Sequence, residues 1–309
     1  MKVAIIGTGG IGGYFGGKIA KAGFDVTFLA RGEHLKALKE KGLAIKSILG
    51  DFHVDSVQAT DDIKNIGESD LIILCTKAWL LKELAKELKS ILKEDSVILP
   101  LQNGVVAVED LETEIDRKYI IGGLCRIISK IESPGVINHL GITPSIVFGE
   151  LDNSKTERIE RIKELFDKSD INSKISNDII ADLWKKYISI CVSGLLAVTK
   201  TSYGELRDLP QTRQMMVDLL VEIYQLSQKM GIRIESDYVG KSVAAIDTLP
   251  YDTTSSLTRD VWEGKPSEIE YQNGTVVRLA EKYKVEVPIN RFVYNCILPM
   301  ELKARKVKI

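Results

Sequence analysis

A strand running directly into a glycine-rich turn and then a helix leaves a chain few folds to choose from. The N-terminal stretch MKVAIIGTGGIGGYFGGKIAKAGFDVTFLAR has this form. Residues 2–6 read as a buried strand, 7–13 as the turn, 14–22 as a helix stopped by Gly23, and 25–30 as the next strand. Gly7, Gly9 and Gly12 fit the spacing GxGxxG. The first glycine permits a tight turn, the second lets backbone approach a pyrophosphate, and the third, with Gly16 a turn later, lets helix pack closely on sheet. Unpaired N–H groups at the helix start then face the anion. Gly7, Thr8, Gly9, Gly10, Ile11 and Gly12 are therefore read as a dinucleotide cradle. No Gly-Lys-Ser/Thr follows, which argues against a nucleoside-triphosphate loop. A flavin, or a turn with no ligand, are the other readings.

The end of the second strand separates the nicotinamide cofactors. An acid there bonds the ribose hydroxyls of NAD, whereas an arginine pairs with the 2′-phosphate of NADP. This strand ends Phe28-Leu29-Ala30-Arg31, which favours NADP(H). Glu33 nearby keeps NAD(H) in view, and a plain surface arginine is the bland alternative.

At 309 residues the chain suits two domains. Strands alternate with helices through the first half, with further strands expected near 43–60, 69–77, 96–104, 119–128, 135–140 and 145–149. This predicts an α/β fold: a Rossmann-like nucleotide domain with a mostly parallel sheet covered on both faces. From 177 onward the pattern is mainly helical, over 177–200, 211–230, 236–246, 268–283 and 289–305. The expected domains are 1–167, binding NADP, and 168–309, helical and carrying substrate and catalysis.

Charged residues make up 28% of the chain and its formal net charge is -1, with both signs mixed. No basic block suggests nucleic acid, and no charge asymmetry suggests a membrane surface. Apolar runs such as LIILC are far too short to span a bilayer. Cys75, Cys125, Cys191 and Cys296 are scattered in apolar contexts without a CxxC pair, as expected of buried thiols in a cytoplasmic protein. His34, His53 and His139 lie far apart, and no metal-ligand cluster is expected. The helical half could bury one face in a homodimer.

Four further phrases are more specific than the glycine turn: Leu101-Gln-Asn-Gly104, Trp184-Lys-Lys186, Thr254-Ser-Ser-Leu-Thr-Arg-Asp260 and Ser267-Glu-Ile-Glu-Tyr-Gln-Asn-Gly274. In this order, before and within a helical second half, they resemble the ketopantoate reductase (2-dehydropantoate 2-reductase) family over essentially the whole chain. The resemblance implies NADPH-dependent reduction of ketopantoate to pantoate, on the route to pantothenate and coenzyme A, in a cleft between two domains. It implies that Lys186, two positions after the tryptophan, is the catalytic lysine and Glu268 the family's glutamate, catalytic and near the cofactor. It matches Ser256 to the substrate serine and Asn103 to the asparagine that meets substrate and cofactor. Lys77 takes the place of a lysine near the cofactor, and Arg31 that of the phosphate-binding arginine.

The chemistry agrees with those roles. A 2-oxo acid needs a hydride, a proton for the forming alkoxide and a partner for its carboxylate. An ammonium at Lys186 serves the second need, although chemistry alone does not separate it from Lys185. Glu268 could hold the lysine or bind a substrate hydroxyl. Ser255 and Ser256 could be helix caps or carboxylate partners, and Asn103 could be a plain Asn-Gly turn. Trp184 reads as core.

One departure from the resemblance concerns the substrate. The family's helix carries asparagines one and two turns after the lysine. This chain has Ile190 and Gly194 there, an apolar side chain and a gap, with Ser189 and Ser193 beside them. A related reductase of a more apolar 2-oxo acid is therefore a rival reading. A non-catalytic nicotinamide-nucleotide-binding regulatory protein is another, against which the retention of Lys186, Glu268 and Ser256 speaks. 6-Phosphogluconate and 3-hydroxyacid dehydrogenases share the two-domain plan, but the Trp184 and Ser267 phrases argue against them.

Overall fold

A computed structural model describes residues 1–307. The chain forms two compact units: Met1–Gln102 with Val106–Ile179, and Asn103–Val105 with everything from Ile180 onward. The sequence places the division at 167/168. In the structure the first unit continues to Ile179, because residues 173–175 still pair with the strand before them.

The first unit contains β1 (Lys2–Ile6), α1 (Gly10–Lys21), β2 (Asp25–Leu29), α2 (Gly32–Lys41), β3 (Leu43–Ser47), β4 (Phe52–Val54), β5 (Gln58–Thr60), β6 (Leu71–Leu74), α3 (Leu81–Leu88), β7 (Val97–Pro100), α4 (Ala107–Glu112), β8 (Gly122–Ser133), β9 (Val136–Gly149), α5 (Glu157–Lys168) and β10 (Ser173–Ile175). One sheet has the order β5-β2-β1-β6-β7 and every neighbouring pair is parallel. Strand β6 (LIIL), inside the sheet, and strand β7 (VILP), at its edge, are buried at every residue, as strands covered on both faces must be. Strand order reverses between β1 and β6, which makes the carboxyl ends of these two strands the expected ligand crevice.

A second sheet, of order β10-β9-β3-β4 with β8 antiparallel to β9, departs from the single parallel sheet that the sequence suggests. The three short strands expected between 119 and 149 are one long hairpin. Gly141, at positive φ, and Pro144 read as strand breakers, yet they fall within β9 where the pairing register shifts, between Arg126↔Ser145 and Ile128↔Leu140.

Helix α1 packs between the two sheets. Its glycines make this approach feasible. A Cβ on Gly12 would stand 2.2 Å from the Gly7 carbonyl oxygen, on the parallel-sheet side. One on Gly13 would stand 2.6 Å from Ile137 Cγ1, on the other. The far face of the parallel sheet is covered by α3 and α4 through Leu81, Leu84, Leu88 and Leu111.

The second unit is helical: α6 (Ile179–Ile190, whose first residue belongs to the first unit), α7 (Val192–Thr199), α8 (Tyr203–Asp208), α9 (Pro210–Lys229), α10 (Tyr238–Asp247), α11 (Ser256–Trp262), α12 (Asn273–Tyr283) and α13 (Pro288–Ala304). Their inward residues form one core around Tyr187, Leu195, Leu219, Ile223, Val276 and Val293. Trp184 lies in this core, edge-on to Tyr187 at 5.4 Å between ring centroids.

Candidate functional site

The first unit supplies a nucleotide site. Gly7, at φ +99, turns the chain out of β1, and a Cβ there would meet Thr76 Cγ2 at 2.8 Å. The glycine turn thus lies against the end of β6, at the reversal point of the sheet. Thr8 ties the turn to the end of β2 through backbone N–H and Oγ1, both donating to the Leu29 carbonyl. Gly9 caps α1, and the space beyond its missing Cβ is open to 4 Å. The first-turn N–H groups of Gly10, Ile11 and Gly12 have no partner within the helix, as at any helix start. That open, donor-lined space fits an anionic pyrophosphate.

Next to it is a pocket of about 310 Å³ lined by Gly7, Thr8, Arg31, His34, Thr76 and Glu83 among others. Arg31 is exposed and makes no ion pair with another described residue, so its guanidinium is available to a phosphate. Glu33 is absent from the lining, but Glu83 and Glu87 reach it from α3. Two buried polar atoms of the lining, Thr76 Oγ1 and His34 Nε2, lack a hydrogen-bond partner. Such orphans cost about 1–3 kcal/mol each and suit a site completed by a polar ligand. These residues fit a dinucleotide.

His34 and Thr76 carry no sequence signal as ligands. His34 sits in the first turn of α2, and its Nδ1 accepts from the Gly135 N–H at 3.1 Å. Burial pushes its imidazole below the ordinary histidine range, opposed in part by the nearby Thr8 carbonyl, which is not within good hydrogen-bond geometry of Nε2. With Nδ1 accepting from Gly135, the ring proton resides on Nε2. Lys77 follows β6 and lies over the Trp79 ring at 5.6 Å. Gln102 is buried at the end of β7, and neither atom of its amide finds a partner. Burial pushes the Cys75 and Cys191 thiols up, so neither is a ready nucleophile.

The second unit contains Lys186, Glu268 and Asn103. Lys186 is buried, at 8% exposure, on α6. Its neighbour Lys185 is committed elsewhere. It pairs with Glu235 at 2.7 Å, lies over the Tyr238 ring and accepts a bond from the Tyr238 hydroxyl at its carbonyl. The Lys185 ammonium holds the Glu235 carboxyl below its usual range. Tyr187 donates to the Gln272 carbonyl at 2.7 Å, which ties α6 to the segment carrying Glu268. Glu268 is buried at 5% exposure, ahead of a single 3-10 turn. Gly104, at φ +110, packs where a Cβ would stand 2.9 Å from the Tyr271 carbonyl oxygen, so the Asn103 turn abuts the same segment.

Ser255, not Ser256, caps α11, its Oγ accepting from the Thr258 N–H at 3.0 Å. Ser256 follows with an exposed hydroxyl that bonds to no other described residue, and no bond joins it to Lys186 or Glu268.

The reading of residue 194 as a gap needs correction. Gly194 is buried, and a Cβ there would stand 2.4 Å from Asn273 Oδ1 and 2.7 Å from Val293 Cγ1. Moreover, α6 ends at Ile190 and α7 starts at Val192, so the two positions do not share one uninterrupted helix. The space is filled by Asn273, whose Nδ2 donates to the Cys191 carbonyl and to Asn290 Oδ1.

The sequence matches two family profiles, described as ketopantoate reductase PanE/ApbA over residues 3–153 and ketopantoate reductase PanE/ApbA C terminal over 178–301. An uncharacterized oxidoreductase, YkpB of Bacillus subtilis, is 30% identical, with 95% of this chain and 97% of that protein covered. A 2-dehydropantoate 2-reductase of Nostoc sp. is 30% identical over 95% of this chain and 93% of its own. The chain belongs to the ketopantoate reductase family. The crystal structure of a PanE/ApbA family ketopantoate reductase from Ralstonia eutropha superposes with a TM-score of 0.90 at 27% identity, covering 99% of this chain and 100% of that one. The ketopantoate reductase family therefore accounts for both units, the Rossmann-like half and the helical half.

Proposed function

We propose that this oxidoreductase uses NADPH to reduce ketopantoate to pantoate, in the cytoplasm and on the route to pantothenate. The observation that carries this reading is the contrast on α6: Lys185 is spent on Glu235, while Lys186 is buried in the unit that also holds Glu268 and Asn103. The bound nicotinamide supplies the hydride. Lys186 stabilises the charge growing on the ketone oxygen and gives up a proton from Nζ to complete the alcohol, so one hydride and one proton convert 2-oxo acid to 2-hydroxy acid. Glu268 orients this ammonium or accepts from a substrate hydroxyl, Asn103 donates its amide to the substrate, and Ser256 offers a hydroxyl to the carboxylate. On the cofactor side Gly7 to Gly12 hold the pyrophosphate, Arg31 the 2′-phosphate, and Lys77 the cofactor near the end of β6.

A second reading is favoured by residue 190. Ile190 is a partly buried aliphatic residue one turn after Lys186, and Gly194 has no side chain, so neither position itself offers an amide to a substrate hydroxyl. A more apolar 2-oxo acid suits such a surface. The test is NADPH oxidation with a panel of 2-oxo acids that includes ketopantoate, the product being identified as the 2-hydroxy acid. Highest kcat/KM for ketopantoate supports the first reading, and preference for an unhydroxylated acid supports the second.

A further inference from the structure

The segment Ser267–Asn273 lies along α13 and is fastened to it at every third residue. Ser267 donates from both N–H (2.8 Å) and Oγ (2.7 Å) to Glu301 Oε2. Glu270 accepts from the Tyr294 hydroxyl and from Arg278. Asn273 donates to Asn290 Oδ1 at 3.0 Å. On α13 the three partners, Asn290, Tyr294 and Glu301, recur at four and seven residues, which puts them on one face. Arg305 closes the last of these anchors, bonding both Glu301 and the Ser267 carbonyl. Glu268 lies between the first two anchors.

Glu301 is almost fully buried. A buried carboxylate of this kind adds little net stability over an apolar residue of the same shape, because desolvation offsets its bonds. Its geometry, by contrast, is exacting: one oxygen fixes both donors of Ser267, the residue directly before Glu268.

We propose that α13 is a positioning element for the reaction, with Glu301 and Tyr294 holding the Glu268 carboxylate in register with Lys186. This rests on the functional reading of Glu268 given above. In this role Glu301 and Tyr294 make no contact with substrate or cofactor. They act through the backbone on both sides of Glu268, while Tyr187 ties the same segment to the helix of Lys186.

The test is steady-state kinetics with NADPH and the preferred 2-oxo acid on the full chain, together with fluorescence titration of NADPH. Tyr294→Phe, which keeps the ring, Ser267→Ala and Glu301→Gln are made in the natural protein and in a Glu268→Gln background. Losses in kcat of about 3-fold to 30-fold are expected in the natural background, with NADPH affinity within about 2-fold. In the Glu268→Gln background the same substitutions should cost less than about 2-fold more, since residues that act through one another are not additive. Equal losses in both backgrounds would show a merely structural role and overturn the proposal, as would unchanged kcat in all three natural-background variants. Full kcat in Glu268→Gln alone would instead remove the catalytic reading of Glu268, and the positioning role with it.

Discussion

Lys185 and Lys186 are adjacent on α6 but differ in what surrounds them. The partly exposed Lys185–Glu235 pair is worth at most about 1 kcal/mol, so Lys185→Ala should change kcat by less than about 2-fold. Lys186→Ala should lower kcat by about 10² or more, the range for a lost general acid, while NADPH still binds. Rates and binding curves for the two variants check this, and a reversal would move the proton donor to Lys185. At the phosphate end, Arg31→Ala should raise the KM for NADPH about tenfold and leave that for NADH unchanged, as expected for a lost charge-assisted pair worth about 1.5–3 kcal/mol. Equal losses for both cofactors would contradict the assignment. The place of Arg31 just after β2 was legible in the sequence because a strand end is a fixed place in this fold. His34 and Thr76 were not, because their status depends on what lies across space from them: Gly135 from a distant hairpin, and Gly7 from another strand.

At the scale of elements, α2 carries a pH dependence. The His34 imidazole is depressed by burial and its Nδ1 must accept from Gly135. A group with a lowered folded pKa contributes stability above its unfolded pKa, near 6.5, which is lost as pH falls through the folded value. Thermal midpoints should therefore fall between pH 7 and pH 5 more in the natural protein than in His34→Gln. Equal slopes would contradict the role given to the ring. The junction of α6 and α7 gives another expectation. Gly194→Asn would drive a side chain into Asn273 and Val293 and should destabilise by about 1–3 kcal/mol in denaturant titration. Ile190→Asn alone should fold and raise the selectivity for ketopantoate over its analogue lacking the hydroxyl, since a buried unpaired hydroxyl costs about 1–3 kcal/mol. Elements of strong period, such as α3 and α13, were readable in outline. The β8–β9 hairpin was not, because Gly141 and Pro144 carry a breaker's signature that pairing with β8 accommodates as a register shift.

Across the whole molecule, the sequence conveys a parallel nucleotide-binding sheet followed by a helical unit because both depend on local pattern: buried aliphatic runs, then periodic leucines. It does not convey the second sheet, because β3 joins β9 across a wide separation, although the β3–β4 hairpin within it is local. Nor does residue chemistry alone distinguish Ser255 from Ser256, or Lys185 from Lys186, since the members of each pair differ in their distant or capping contacts. The proposed reaction needs a nicotinamide held by the Rossmann-like unit and a proton from Lys186. Its most direct measurement is NADPH-dependent turnover of ketopantoate by the natural protein and by Lys186→Ala, with NADPH binding measured on both. Expected is one pantoate formed per NADPH oxidised, a fall of about 10² or more in kcat for the variant, and unchanged NADPH affinity. Tight NADPH binding with no turnover of ketopantoate or any other 2-oxo acid would contradict it.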